Sequence, residues 1–372
     1  MNILILSAST GGGHMASSEA LKNFIETQDK DANVRVIDTI KYINPTLNKV
    51  VSGGYTTLAK EFPLVYKRLY KLTDQKRKLT SMVGKMNLIF SKKLAPLIND
   101  FKPDIIITTH PFSTEMISLL KERKKIDIPL MCIMTDYIAH NTWIKPRVDA
   151  YIVASETMKN EMIDRGISDK KVYPYGIPVD KKFLEEFDKT KIMHEVGFKE
   201  GKTTILVMAG SFGVKNISTI YDEISNIPLD IQIIVITGNN KKLFDELSYK
   251  VEVSNKKTEL IEFTTEVNKF MKISDVIITK PGGVTTSEAL SCNLPMIIFD
   301  AIPGQEEGNA RFLIENNMAI TIGNGNKCKN EVGKLLRDKD KLKDMKNKCL
   351  AFDKSKCNEN ILNLIEKLSK NN

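Results

Sequence analysis

Residues 276–309, VIITKPGGVTTSEALSCNLPMIIFDAIPGQEEGN, decide the fold. The β-branched run 276–279 has the composition of a buried parallel strand, and Pro281-Gly282-Gly283 ends it where side chains do not obstruct the backbone. A helix is expected to follow at once, capped by Thr285 or Thr286, with Glu288 two or three residues further on. A strand that passes through glycines into a helix start gathers unpaired N–H groups and the positive end of the helix dipole at one spot, which favours phosphate. The turn from Lys280 through Gly282 and Gly283 into the helix start is therefore read as a nucleotide-diphosphate cradle. Steric need alone can place two glycines in such a turn. The continuation points further: a second strand over 295–299, then a polar loop over 300–309 with Gln305, Glu306, Glu307 and Asn309. Phosphate donors, a carboxylate one turn in, and amides and carboxylates on the next loop suit a nucleotide sugar.

The same punctuation recurs outward from this stretch. Residues 2–7 read as a buried first strand, followed by the glycine loop ASTGGG and a helix starting near His14. Further parallel strands are expected over 34–37, 105–108, 130–134 and 151–153, with helical stretches between them. Residues 173–179, YPYGIPV, read as an interdomain linker, after which the alternation restarts. Strands are expected over 204–208, 231–237 and 260–263, with a glycine turn at Gly210, Ser211, Phe212 and Gly213 and a strand end at Gly238. The fold class is thus α/β, with two doubly wound Rossmann-like domains over 1–173 and 183–350, joined by 174–182 and followed by a helical tail over 351–372. Such sheets bind ligands outside the carboxyl ends of their strands, so a tandem pair is expected to face across a cleft.

Composition narrows the class. The 372 residues suffice for two domains, and no run approaches the roughly 18 apolar residues of a membrane-spanning helix. The start MNILIL lacks the basic, longer pattern of a signal peptide, so a cytoplasmic location is expected. The five cysteines include no CxxC pair, which argues against disulfides and zinc, and Cys132 and Cys292 read as buried fillers. The net charge of +9 is concentrated between Lys60 and Lys93, where ten basic residues face two acidic ones. Phe62, Tyr66 and Tyr70 recur every four residues there, beside Lys67, Arg68 and Lys71, with a helix break expected near Pro63. A second apolar stripe from Leu79 to Leu94 is flanked by Lys78, Lys85, Lys92 and Lys93, with Lys76 and Arg77 just before it. Either this is an ordinary amphipathic helix with a solvated basic face, or its lysines meet anionic headgroups at about 1 kcal/mol each.

Three of the four histidines fall at expected strand ends. His14 follows Gly12 and Gly13 at the first helix start, where a neutral imidazole could take a proton from an alcohol. His110 ends the strand over 105–108, and His140 lies just past the strand whose end is marked by Asp136. Gly12, Gly13, His110, Asp136 and His140 are accordingly acceptor-side candidates, while His194 reads as a surface residue. The histidine spacing fits no zinc motif, so no metal is expected. No nucleophile elbow or Walker sequence is present, and STGGGH is not a dinucleotide fingerprint, although Asp38 ends the second strand.

Taken together, GGGH, THP, TDY with a following His and Trp, GIPV, MAGSFG, ITG and KPGGVTTSEAL with GQEEGN resemble the monogalactosyldiacylglycerol synthase and processive diacylglycerol glucosyltransferase family. The resemblance covers about residues 1–319 and implies the GT-B fold. It also implies an inverting transfer of a hexose, glucose favoured, from a UDP-sugar to diacylglycerol, with further sugars added in turn. It would place the diphosphate at Gly282, Gly283, Val284 and Thr285 under the 210–213 loop, the ribose at Glu288 and the uracil at Phe263 and Thr264. Gln305 and Glu306 would grip the sugar, His14 would be the catalytic base, and the basic segment would face the membrane and acceptor. A UDP-hexose, diacylglycerol and an anionic membrane surface on the cytoplasmic side are the implied partners, with no cofactor and no nucleic acid. The alternatives are UDP-N-acetylglucosamine transfer to a lipid-linked peptidoglycan precursor, or a nucleotide-sugar sensor without turnover.

Overall fold

The computed structural model describes residues 1–9, 12–44, 68, 70, 73–74, 89–208, 216–323, 325 and 328–370. The chain divides into two compact units. The first comprises 1–181 together with 302–305 and 354–372, and the second comprises 182–301 and 306–353. Each is built on one six-stranded sheet in which every strand pairing is parallel.

In the first unit the strands are β1 (Asn2–Ser7), β2 (Asn33–Asp38), β3 (Ile105–Thr108), β4 (Leu130–Ile133), β5 (Ala150–Ile152) and β6 (Val172–Tyr173), ordered β2-β1-β3-β4-β5-β6. β3 and β4 are buried along their whole length, as expected for apolar runs covered on both faces. The chain leaves β1 in one direction for β2 and returns on its other side for β3, so the sheet reverses between β1 and β3. Ligands of open parallel sheets enter at such a reversal. The glycine loop before His14 follows β1, and His110 follows β3.

The second unit holds β7 (Thr203–Met208), β8 (Ile231–Ile236), β9 (Lys257–Ile261), β10 (Val276–Thr279), β11 (Met296–Ile298) and β12 (Ala319–Thr321), ordered β12-β11-β10-β7-β8-β9. Its reversal lies between β7 and β10, with Ile278 of β10 in register with Val207. The Pro281-Gly282-Gly283 turn therefore leaves the sheet at the reversal itself.

The last helix, Cys357–Ser369, belongs to the first unit. Ile361, Leu364 and Ile365 are buried among Ile3, Ile105 and Met131, so the end of the chain completes the core begun by its first strand. Asn358 Nδ2 donates to the Val179 carbonyl (3.0 Å) and Lys354 Nζ to that of Pro174 (2.9 Å). Gly176, at φ +107°, lies against the Lys354 side chain.

Several local expectations are corrected. The helix after β10 begins at Gly283 with Gly282 as its cap, and no side chain caps it. Thr285 and Thr286 lie inside its first turn. β9 ends at Ile261, short of the expected Phe263, because its one partner in the sheet, β8, ends at Ile236, the residue in register with Ile261. The polar loop expected over 300–309 gives way to a helix, Gln305–Glu315. Gly304, at φ +93°, turns the chain into it, and Glu306 and Glu307 in its first turn complement the dipole. Cys292 is only partly buried and its thiol faces the Phe183 carbonyl, whereas Cys132 is buried as expected; all five thiols are free.

Candidate functional site

In the first unit, Gly12 (φ +76°) turns the chain into the helix Gly13–Gln28, and His14 lies in its first turn. A seam of buried hydroxyls fixes that turn from below. Thr109 Oγ1 donates to Ser7 Oγ (2.8 Å), lies 2.9 Å from Ser18 Oγ, and Ser18 in turn donates to the His14 carbonyl (3.0 Å). The half-buried His14 ring has Nδ1 2.7 Å from Thr135 Oγ1, meets the His110 ring edge-on at 4.8 Å, and lies 6.1 Å from that of Trp143. Burial lowers its pKa from the usual 6.5 to about 4, against the pull of the Thr109 carbonyl, which favours a ring N–H. The ring is therefore a neutral base at physiological pH.

His110, at the strand end where it was expected, is engaged in local structure. It caps the helix Pro111–Glu122, with Nδ1 accepting from the Phe112 N–H (3.2 Å). That bond requires a lone pair on Nδ1, and burial, reinforced by His14, pushes the pKa well below its usual value. His140 is buried, with Nδ1 accepting from the Thr142 N–H (3.2 Å) and Nε2 3.1 Å from the Tyr70 carbonyl, while the two rings stack at 4.1 Å. Both of its nitrogens are committed to local structure. Beside it, Asp74 pairs with Arg165 (2.8 Å) and accepts from the Asn141 N–H (2.9 Å). Burial alone would raise the Asp74 carboxyl, but the Arg165 and Asn141 bonds hold it below its ordinary value. Buried Asp136 accepts from Gln305 Nε2 at 2.7 Å, both within this unit.

In the second unit several of the donor candidates gather on one short stretch. A Cβ added at Gly282 would meet nothing within 4 Å, so the backbone there faces open space. The amides of Gly283, Val284 and Thr285 begin the helix without a side-chain cap. Behind the turn, buried Asn309 Nδ2 donates to the Pro281 carbonyl (3.0 Å), and buried Thr286 Oγ1 has no hydrogen-bond partner among the described residues. Glu288 is half-buried on the same helix, and Glu306 lies in the first turn of the helix Gln305–Glu315. Lys280 is mostly buried and forms an ion pair with Asp300 (3.2 Å). Phe263 is 63% exposed, Thr264 Oγ1 accepts from the Glu266 N–H (2.9 Å), and Gly238 (φ +62°) has open space around it.

Gly210, Ser211, Phe212 and Gly213 lie outside the described residues, as do Lys67, Lys71, Lys76, Arg77, Lys78 and Lys85; Arg68 is described and exposed. His194 is exposed, as expected of a surface residue. Among the described residues no group of His, Cys, Asp or Glu has the makings of a metal site, and no helix is long and apolar enough to cross a membrane. The sequence reading missed Thr135, Trp143 and Asp300 as neighbours of the candidate groups. For Thr135 the available signals were its place beside Asp136 at the end of β4 and its membership of the TDY motif.

Comparison with known proteins gives the family and the fold. The family described as monogalactosyldiacylglycerol (MGDG) synthase matches residues 14–179, and that described as glycosyl transferases group 1 matches residues 188–349. A processive diacylglycerol beta-glucosyltransferase of Bacillus licheniformis is 31% identical over 370 residues, covering 97% of this chain and 93% of the relative. One of Staphylococcus aureus strain MRSA252 is 34% identical over 321 residues, covering 84% of this chain and 79% of the relative. Among solved structures, Acinetobacter baumannii MurG superposes with a TM-score of 0.67 at 15% identity, covering 98% of this chain and 99% of that one, a likeness of fold alone. The two parallel sheets are those of the GT-B class. The chain belongs to the glycosyltransferase family of the MGDG synthases and processive diacylglycerol glucosyltransferases.

Proposed function

We propose that this chain is an inverting glycosyltransferase that moves a hexose, glucose in preference, from a UDP-sugar to the glycerol hydroxyl of diacylglycerol, and can add further sugars to the product. The observation that carries the proposal is the match along 97% of the chain to a relative named for that activity. Two features support the reading: burial that disfavours the charged form of the His14 imidazole, and an uncapped helix start at Gly282-Gly283 open to a ligand.

In the reaction, His14 accepts the glycerol hydroxyl proton as the oxygen attacks the anomeric carbon from the face opposite the leaving group. The bond from that carbon to the diphosphate oxygen breaks, and UDP leaves with the electron pair. The amides of Gly283, Val284 and Thr285 and the helix dipole stabilise the charge that develops on it. Glu288 holds the ribose, Phe263 and Thr264 the uracil, and Gln305 and Glu306 the sugar, with the 210–213 loop over the phosphates. No resident cofactor is assigned, since the UDP-sugar is a substrate. The acceptor stays in the bilayer, so we assign the protein to the inner membrane surface, held there by the basic segment.

The direct test is incubation of purified protein with labelled UDP-glucose and diacylglycerol vesicles, with UDP-galactose and UDP-N-acetylglucosamine in parallel. A labelled glycolipid from UDP-glucose is expected. Absence of glycolipid with every donor, alongside intact UDP binding, would instead favour a sensor.

A further inference from the structure

Among the groups around His14, Thr135 is the side chain within hydrogen-bond distance of Nδ1 and bears directly on what the imidazole can do. It leaves the carboxyl end of β4, is buried, and places Oγ1 2.7 Å from Nδ1. Two arrangements fit that distance. If the hydroxyl donates to Nδ1, the ring proton sits on Nε2, and no lone pair is left there to take another. If Nδ1–H donates to the hydroxyl, Nε2 carries the lone pair. Only the second arrangement survives proton transfer unchanged, because an imidazolium keeps its Nδ1–H and can go on donating to the same oxygen.

We propose that Thr135 is a positioning residue that accepts the Nδ1–H of His14 and thereby presents Nε2 as the proton acceptor; this rests on the reading of His14 as the base. The proton leaves the attacking glycerol oxygen for Nε2, while the Nδ1–H bond to Thr135 persists throughout. A hydroxyl suits this role better than a carboxylate would. It orients the ring without adding a negative charge that would hold the imidazolium and protonate the base before substrate arrives. The neighbouring rings comply: His110 is tied to the Phe112 N–H and kept neutral, and Trp143 brings no charge.

The experiment compares the wild-type chain with Thr135→Val, Thr135→Ser and His14→Ala, using UDP-glucose and diacylglycerol vesicles. Nitrogen-15 spectra of histidine-labelled protein read the tautomer directly. Wild type should show Nδ1 protonated and Nε2 bare at His14. Thr135→Val should mix the tautomers and lower kcat about tenfold, with KM for UDP-glucose unchanged. Thr135→Ser, which restores the oxygen, should recover most of both. An unaltered tautomer and kcat in Thr135→Val, or a serine variant no better than the valine one, would overturn the role of Thr135 while leaving His14 as the base. Retained turnover in His14→Ala would overturn the base itself, whatever the nitrogen shifts of the other variants.

Discussion

Lowering the pH from 7 to 5 perturbs one group at the centre of the proposed chemistry, the His14 imidazole. Its ordinary pKa of 6.5 is pulled to about 4 by burial, the Thr109 carbonyl offsetting only part of the effect. A difference of this size corresponds to about 3 kcal/mol against the charged ring. At pH 5.5 an imidazole with the ordinary value is roughly one-tenth neutral, whereas one titrating at about 4 is nearly all neutral. His110, the titratable ring facing it, is also held neutral and adds no charge in this range. The acid limb of kcat/KM, which reports groups in the free enzyme, should therefore lie near pH 4, and activity at pH 5.5 should stay close to its neutral value. The assay is glycolipid formation from UDP-glucose and diacylglycerol in phosphatidylcholine vesicles, whose zwitterionic surface keeps interfacial pH equal to bulk. A limb centred near 6.5 would refute the desolvated base. The sign for stability follows from the same shift. The unfolded chain binds a proton that the folded ring refuses, so the contribution is intact above about pH 6.5 and lost as pH falls through about 4. Its size is at most about 3 kcal/mol, and less where water reaches the half-buried ring.

Other perturbations probe separate parts of the molecule. Ile365→Ala removes a fully buried side chain from the core shared with Ile3 and Met131 and should cost about 2–5 kcal/mol. Hydrogen exchange should accelerate in β1 and β3 while β7 and β8 keep their protection; equal loss in both sheets would contradict the assignment of the last helix to the first unit. Asn309→Ala removes the donor to the Pro281 carbonyl and should cost about 1–3 kcal/mol of stability, with weaker UDP binding by calorimetry. Unchanged UDP affinity would mean that the turn does not hold the diphosphate. Replacing Lys76, Arg77 and Lys78 with glutamine should weaken flotation on anionic vesicles by about 1 kcal/mol per charge, and added salt should mimic the change. Binding indifferent to both would remove the basic segment from the membrane.

The sheets were legible because a buried parallel strand needs a near-continuous apolar run, and ILIL, IIIT, LMCI, IQIIVI and VIIT supply five of them. The Gly282-Gly283 turn was legible for a related reason, since few other residues leave a backbone bare at a strand end. The cap of its helix was not. Thr285 and Thr286 have the chemistry of caps, but the chain enters the helix early enough to place them within it, and Gly282 takes that place. His140 shows the same limit. Its position past a strand suggested an acceptor-side group, yet its nitrogens are spent on Thr142 and Tyr70.

The sequence by itself determined the number of sheets, their parallel sense and the strand ends at which glycines and histidines fall, because these depend on local composition and period. Tertiary structure alone decided that β10 flanks the reversal of its sheet, that the last helix completes the first core, and that Thr135 meets His14 across 121 positions of chain. Those outcomes depend on strand order and on contacts between distant segments. No local pattern encodes them, because the hydrophobic effect rewards burial without specifying which apolar faces meet.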